Sequence, residues 1–136
     1  MTNRMDPVIH FEMPAADPLR AGRFYEQAFG WQTIPLGKDA GNFVLAFTVE
    51  SDEQTRMPTK PGAINGGFFE RTGPDEHTKL TILVDDIREA MDGITAAGGT
   101  VLGEPVEMPG VGLFVSFVDL DGNVLTVNED YAVKRL

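Results

Sequence analysis

An α+β fold built from two βαβββ modules is predicted by three features of this 136-residue sequence. A helix with the same cap and the same stop occurs twice, opening at Asp17 and at Asp86. A strand-like run precedes each helix. Three further strand patterns follow each one. With the caps aligned, 69 positions apart, Ala21 meets Ala90, Ala28 meets Ala97 and Gly30 meets Gly99. Agreement of cap, stripe, stop and preceding strand points to an internal duplication. The expected organisation is a single domain over 1–136, with module one about 7–70 and module two about 77–130.

The elements follow in order. "VIHFEM" alternates, so Ile9, Phe11 and Met13 should face a helix while Val8, His10 and Glu12 face the other way. Asp17-Pro18-Leu19 is a helix start: the carboxylate caps free N–H groups and proline fits the first position. Ala21, Phe24, Tyr25, Ala28 and Phe29 form the expected buried stripe, and Gly30 ends the helix. Strands are expected at Trp31–Leu36, Phe43–Val49 and Ala63–Glu70. The polar segment Glu50–Gly62 between the last two reads as an exposed loop and a candidate flap.

In the second half "TKLTILV" is the leading strand. Leu80, Ile82 and Val84 should face the helix, and Lys79, Thr81 and Leu83 the opposite side. Asp86 caps a helix whose stripe is Ile87, Ala90, Met91, Ile94 and Ala97, ended by Gly98-Gly99. Strands are expected at Thr100–Met108, Leu113–Val118 and Val124–Asn128. The last two are joined by "LDGN", where Asp-Gly signals a hairpin.

Composition narrows the function classes. The chain is 42% hydrophobic and 24% charged, with no cysteine, so neither a disulfide framework nor a thiolate metal site is available. No apolar run approaches the ~20 residues that span a bilayer, and "MTNRMD" is too polar for a signal peptide. A cytoplasmic protein without a membrane partner is expected. The net charge is −10 and no Lys/Arg cluster occurs, which argues against a nucleic-acid partner.

A sheet covered by helices on one side often uses its other side for a ligand. His10 and Glu12 share that side of the first strand, and His10 is one of two histidines. An imidazole beside a carboxylate suits acid/base work near neutral pH, so His10 and Glu12 are the candidate catalytic pair. Lys79 could hold an anionic ligand; Thr126 and Asn128 are candidate hydrogen-bonding residues of a pocket. His77 reads as a solvated loop residue. Phe24, Tyr25, Phe29 and Trp31 read as core, while Phe43, Phe47, Phe69 and Phe114 should divide between core and pocket lining. There is no Ser-His-Asp constellation, and "GEPVEMPGVG" opens no helix and is no dinucleotide fingerprint.

The runs "IHFEMPAADPLRAGRFYEQAFGW", "LTILVDDIREAMDGITAAGGTVL" and "GLFVSFVDLDGNVLTVNE" resemble the vicinal oxygen chelate superfamily, the glyoxalase, bleomycin-resistance and extradiol dioxygenase group. The resemblance covers nearly the whole chain. It implies that the two modules form a curved mixed sheet around a cup, and that the protein is a homodimer. It also implies, for metal-dependent members, His, Gln or Glu side chains on inner strands of both modules, often with a final Glu, around a divalent ion. His10 stands at the first-strand ligand position. Lys79 stands at its second-module equivalent, and a protonated ammonium has no lone pair to give. Thr126, three residues after the Asn of "DGN", stands where the last ligand falls. In the fourth strand, "AINGGFFER" offers Asn65, two glycines, Phe69 and Glu70.

Two functions remain open from the sequence. One is a small-molecule-binding protein with an incomplete metal site and no cofactor, like the resistance proteins of the group. The other is a glyoxalase-like lyase or isomerase, or a dioxygenase, using His10 with a divalent metal such as Zn, Ni, Mn or Fe. A dimer scaffold without a small ligand is a third reading.

Overall fold

The computed structural model describes residues 4–132. The ends of the expected 1–136 domain, residues 1–3 and 133–136, lie outside them. The chain forms two compact units. The first runs from His10 to Lys79; the second combines the segment ending at Ile9 with the chain from Leu80 onward. Each has the strand–helix–three-strand order, so the fold is α+β. No helix among the described residues is long and apolar enough to cross a membrane.

The first unit is built from β1 (Val8–Ala15), α1 (Pro18–Phe29), β2 (Gln32–Pro35), β3 (Val44–Phe47) and β4 (Asn65–Glu70), with Val8 and Ile9 themselves assigned to the second unit. Its strands lie in the order β2-β3-β4-β1. β1 and β4 are parallel, and the other neighbours are antiparallel. Asp17 Oδ1 accepts from Leu19 N at 3.1 Å and Arg20 N at 3.3 Å, with Pro18 in the first turn. Gly30 takes the left-handed conformation (φ 74°) and its N–H donates to Glu26 O, closing the helix where a side chain would be strained.

The core here gathers Phe11, Val44, Ala46 and Phe68 with Met13, Ala21, Tyr25 and Trp31 around them. The expected α1 stripe is displaced. Phe24 is 58% and Phe29 66% exposed, and Ala28 is exposed too. The inward face is Pro18, Ala21, Gly22 and Tyr25. Gly22 causes the shift: a Cβ there would sit 3.3 Å from Thr33 Cγ2, so its absence lets the helix settle on β2. Tyr25 then stacks on Trp31 and Phe68, with centroids 4.7 and 5.4 Å away. Phe24 only meets the edge of Tyr25, at 5.0 Å.

Close backbone packing fixes β4. A Cβ on Gly66 would lie 2.1 Å from Phe11 O, and one on Gly67 2.3 Å from the Phe43 ring. The Glu50–Gly62 segment is a loop pinned by a Ser51–Pro58 bridge. Asp52 Oδ1 accepts from Gln54 N at 2.8 Å and Thr55 N at 2.9 Å. Those bonds, Thr55's first, hold the Asp52 carboxyl below its usual range.

The second unit is built from β5 (Lys79–Leu83), α2 (Ile87–Ala96), β6 (Thr100–Met108), β7 (Gly112–Val118) and β8 (Val124–Asp130), with Lys79 itself assigned to the first unit. The strand order is β5-β8-β7-β6, with β5 and β8 parallel. Ile87, Ala90, Met91 and Ile94 face inward against Val84, Val115, Phe117 and Val127, as the stripe predicts; Ala97 caps the helix and is exposed. Leu80 departs from expectation at 40% exposed. α2 packs over β6, β7 and β8, leaving the start of β5 uncovered. Two carboxylates cap α2: Asp86 Oδ1 accepts from Glu89 N at 3.0 Å, and Glu129 Oε1, from β8, accepts from Ile87 N at 2.9 Å.

The turn before β8 is closed by Asp119. Its Oδ1 accepts from Asp121 N and Asn123 N, and its Oδ2 from Asn123 Nδ2, all at 2.9 Å. The Asn123 bonds, then that of Asp121, hold the Asp119 carboxyl below its usual range. At the other end of β8, Tyr131 donates to Glu107, which raises the phenol's pKa.

Candidate functional site

Because Phe11 and Met13 turn toward α1, alternation places His10 and Glu12 on the helix-free face of β1. Both are half-buried. His10 lies opposite Asn65 and Glu12 opposite Gly67 on β4. Asn65 is engaged on every side. Its Oδ1 accepts from Thr48 N at 2.7 Å, Val49 N at 3.2 Å and Thr48 Oγ1 at 3.2 Å, and its Nδ2 donates to Ser51 Oγ at 2.9 Å. Asn65 thus anchors the loop that leaves β3. Gly67 has no side chain to offer, and Phe43 fills the space above it.

The next residue on this face of β4 is Phe69. The Lys79 ammonium stands 5.2 Å from its ring centroid, within cation–π range. Nearby Glu76 accepts from Thr72 N at 2.6 Å and Gly73 N at 3.2 Å. Its carboxyl is held low mainly by Thr72, and least by the charge of Lys79. Leu45, in register with Gly67, and Phe47 add apolar surface. His10 and Glu12 thus share the helix-free face of β1, and Lys79 stands by Phe69 on β4. His77 is exposed in the loop before β5.

The second unit carries Thr126 and Asn128 on β8. Ile82, Val115 and Val127 pack toward α2, so the alternate residues share the helix-free face. There Thr126 lies between Thr81 on β5 and Ser116 on β7, a row of three hydroxyls across adjacent strands. Asn128 lies between Leu83 and Phe114. Thr126 is 4% and Asn128 0% exposed. Asn128 Nδ2 donates to Leu113 O at 3.1 Å, while Thr126 Oγ1 and Asn128 Oδ1 have no hydrogen-bond partner among the described residues. Buried polar atoms of this kind are uncommon and costly.

The aromatic expectations change in two respects. Phe43, Phe47, Phe69 and Phe114 do not divide between core and lining. None joins either helix-side core, and alternation puts all four on helix-free faces. Phe24 and Phe29 leave the core set, as described above.

A divalent centre needs about three protein donors. Among the described residues no group of three or more His, Asp or Glu stands together so as to hold an ion. The helix-free face of β1 and β4 supplies one imidazole, one carboxylate, a fully engaged carboxamide and a glycine. The corresponding strands of the second unit supply hydroxyls and a carboxamide. Sequence reading missed the roles of Thr81, Ser116, Asn65 and Glu129. Alternation around Thr126 could have found the first two; the last two depend on loop and helix placement.

The glyoxalase-like domain family matches residues 9–128, and the chain belongs to that family, within the vicinal oxygen chelate superfamily. A "glyoxylase-like domain-containing protein" of Didymella fabae is 30% identical over 122 residues, covering 82% of this chain and 84% of its own. Among solved structures, a methylmalonyl-CoA epimerase in complex with methylmalonyl-CoA and NH4+ superposes with a TM-score of 0.72 at 14% identity, over 98% of this chain and 100% of that one. The methylmalonyl-CoA epimerase of Mycobacterium tuberculosis gives 0.67 at 13% identity, over 95% and 91%. At these identities the structures show a shared fold.

Proposed function

We propose that this protein binds a small organic molecule on its helix-free sheet surface without a metal ion. One observation carries the reading: where the family resemblance calls for ligands, the chain has Lys79 and Thr126, and the β4 neighbours of His10 and Glu12 are an engaged Asn65 and a bare Gly67. An ammonium near an aromatic ring favours an anionic end on the ligand. His10 and Glu12 supply hydrogen bonds and a shiftable proton; Leu45, Phe47 and Phe69 supply apolar contact. The protein works as a homodimer, which covers strand edges and apolar surface of the sheet.

Elemental analysis of protein purified without an affinity tag, combined with His10→Ala and Lys79→Ala, tests this. The expected result is no stoichiometric metal, and loss in both variants of the melting shift given by an anionic fragment that stabilises the parent. A stoichiometric metal removed by His10→Ala would instead establish the metal-dependent lyase, isomerase or dioxygenase reading. Light scattering at micromolar concentration should give the dimer mass; a monomer mass would refute that part.

A further inference from the structure

A groove of about 440 Å³ lies in the first unit between β1, β4 and α1. Met13 and Ala15 place it on the helix side of β1, opposite the face that carries His10 and Glu12. Its volume is in the range of small-molecule sites, and it lies open to solvent. The walls include Ala21, Phe24, Tyr25 and Phe68, so the lining is aromatic and aliphatic.

Two polar groups there are under-used. The Tyr25 hydroxyl has Met13 Sδ as its partner at 3.8 Å, and a thioether is a weak acceptor. Arg20 lines the groove, and its guanidinium is in no ion pair among the described residues. Asp17 is also at the rim; its Oδ1 accepts from the Leu19 and Arg20 N–H groups, and its negative charge keeps the favoured place for an anion at the guanidinium end of Arg20. A guanidinium fork matches a carboxylate in two parallel hydrogen bonds. The flat ring of Phe24 favours an aromatic body, while that of Tyr25 is already stacked on Trp31 and Phe68.

We infer that this groove binds an aromatic carboxylate, with its ring against Phe24 and its carboxylate on Arg20. The site is separate from the one proposed above, and either could fail alone.

The probes are 3-phenylpropionate and its primary amide, titrated by NMR chemical shift against the intact protein. The acid should bind saturably and the amide more weakly. Arg20→Gln should weaken the acid about tenfold and leave the amide unchanged. Phe24→Ala should weaken both. Arg20 and Phe24 are exposed, so both variants should fold, which circular dichroism checks. Equal binding of acid and amide, or no saturation, overturns the inference. So does loss of binding in Lys79→Ala with none in Arg20→Gln, which places the probe on the other face. If the acid fails to bind and Phe24→Ala turns a dimer into a monomer, the groove is a subunit contact and the inference is wrong.

Discussion

The helix-free faces of the two units have the same strand pattern and opposite chemistry. In the first, His10, Glu12 and Lys79 are half-buried and ionisable. In the second, Thr81, Thr126 and Asn128 are neutral and fully buried. Duplication supplies two equivalent surfaces; side-chain choice then makes one a place for charge and the other a dry hydrogen-bonding layer. A charge keeps its ionised form only where water or a partner reaches it. The difference in burial therefore goes with the difference in residue type.

The largest effects should come from the glycines that let strands approach. A Cβ on Gly66 would meet Phe11 O at 2.1 Å, and one on Gly112 would meet Glu129 O at 2.2 Å. Both obstacles are backbone atoms, which have little room to yield. Gly66→Ala and Gly112→Ala should each cost about 4 kcal/mol or more. If urea melts show one unit tolerating its substitution, the two units are not equally constrained.

The next contrast lies within the first unit. Phe68 is 1% exposed and Phe24 58%. Phe68→Ala should lose about 3–5 kcal/mol, and Phe24→Ala about 1 kcal/mol or less. Comparable losses in thermal melts would mean that α1 is rotated from the position described.

That contrast also shows what was legible. The caps at Asp17 and Asp86, the stop at Gly30 and the parity of β1 could be read because each depends on local chemistry. The buried face of α1 depends on Gly22 fitting against Thr33, a tertiary contact that an apolar stripe does not reveal. The duplication did hold the signal: carrying Ile87, Ala90, Met91 and Ile94 back by the same offset gives Pro18, Ala21, Gly22 and Tyr25. Large apolar residues outweighed small ones in the reading, and the small ones proved to be the contact. The candidate residues were legible as to face, since alternation sets it. Their partners were not, because Asn65 is engaged by a loop whose path no strand pattern encodes.

Thr126 sharpens the comparison from the second unit. Its hydroxyl is buried with no partner among the described residues, so removing it should relieve a desolvation cost. Thr126→Val should raise stability by about 1 kcal/mol in the absence of ligand, measured by urea denaturation. Destabilisation instead would show that a bound water or ligand satisfies the hydroxyl in the working protein. The second layer would then be a recognition surface and not merely packing.

The smallest effect is a pH dependence that the two units share. Asp52 and Glu76 in the first unit and Asp119 in the second have carboxyls held below their usual range by N–H donors. A depressed carboxyl contributes its full stability above the unfolded-state value and loses it as pH falls through the folded value. Asp52 is exposed and Glu76 and Asp119 are only half-buried, so each contribution is small. Asp119→Ala should lower the melting temperature at neutral pH, and its gap from the parent should close as pH falls below the ordinary carboxylate range. The reason is that protonated Asp119 accepts less well from Asn123 and Asp121, so parent and variant converge. The same titration on Asp52→Ala should behave alike. A gap that stays constant with pH would mean that the loss comes from the turn's packing, not from its charge.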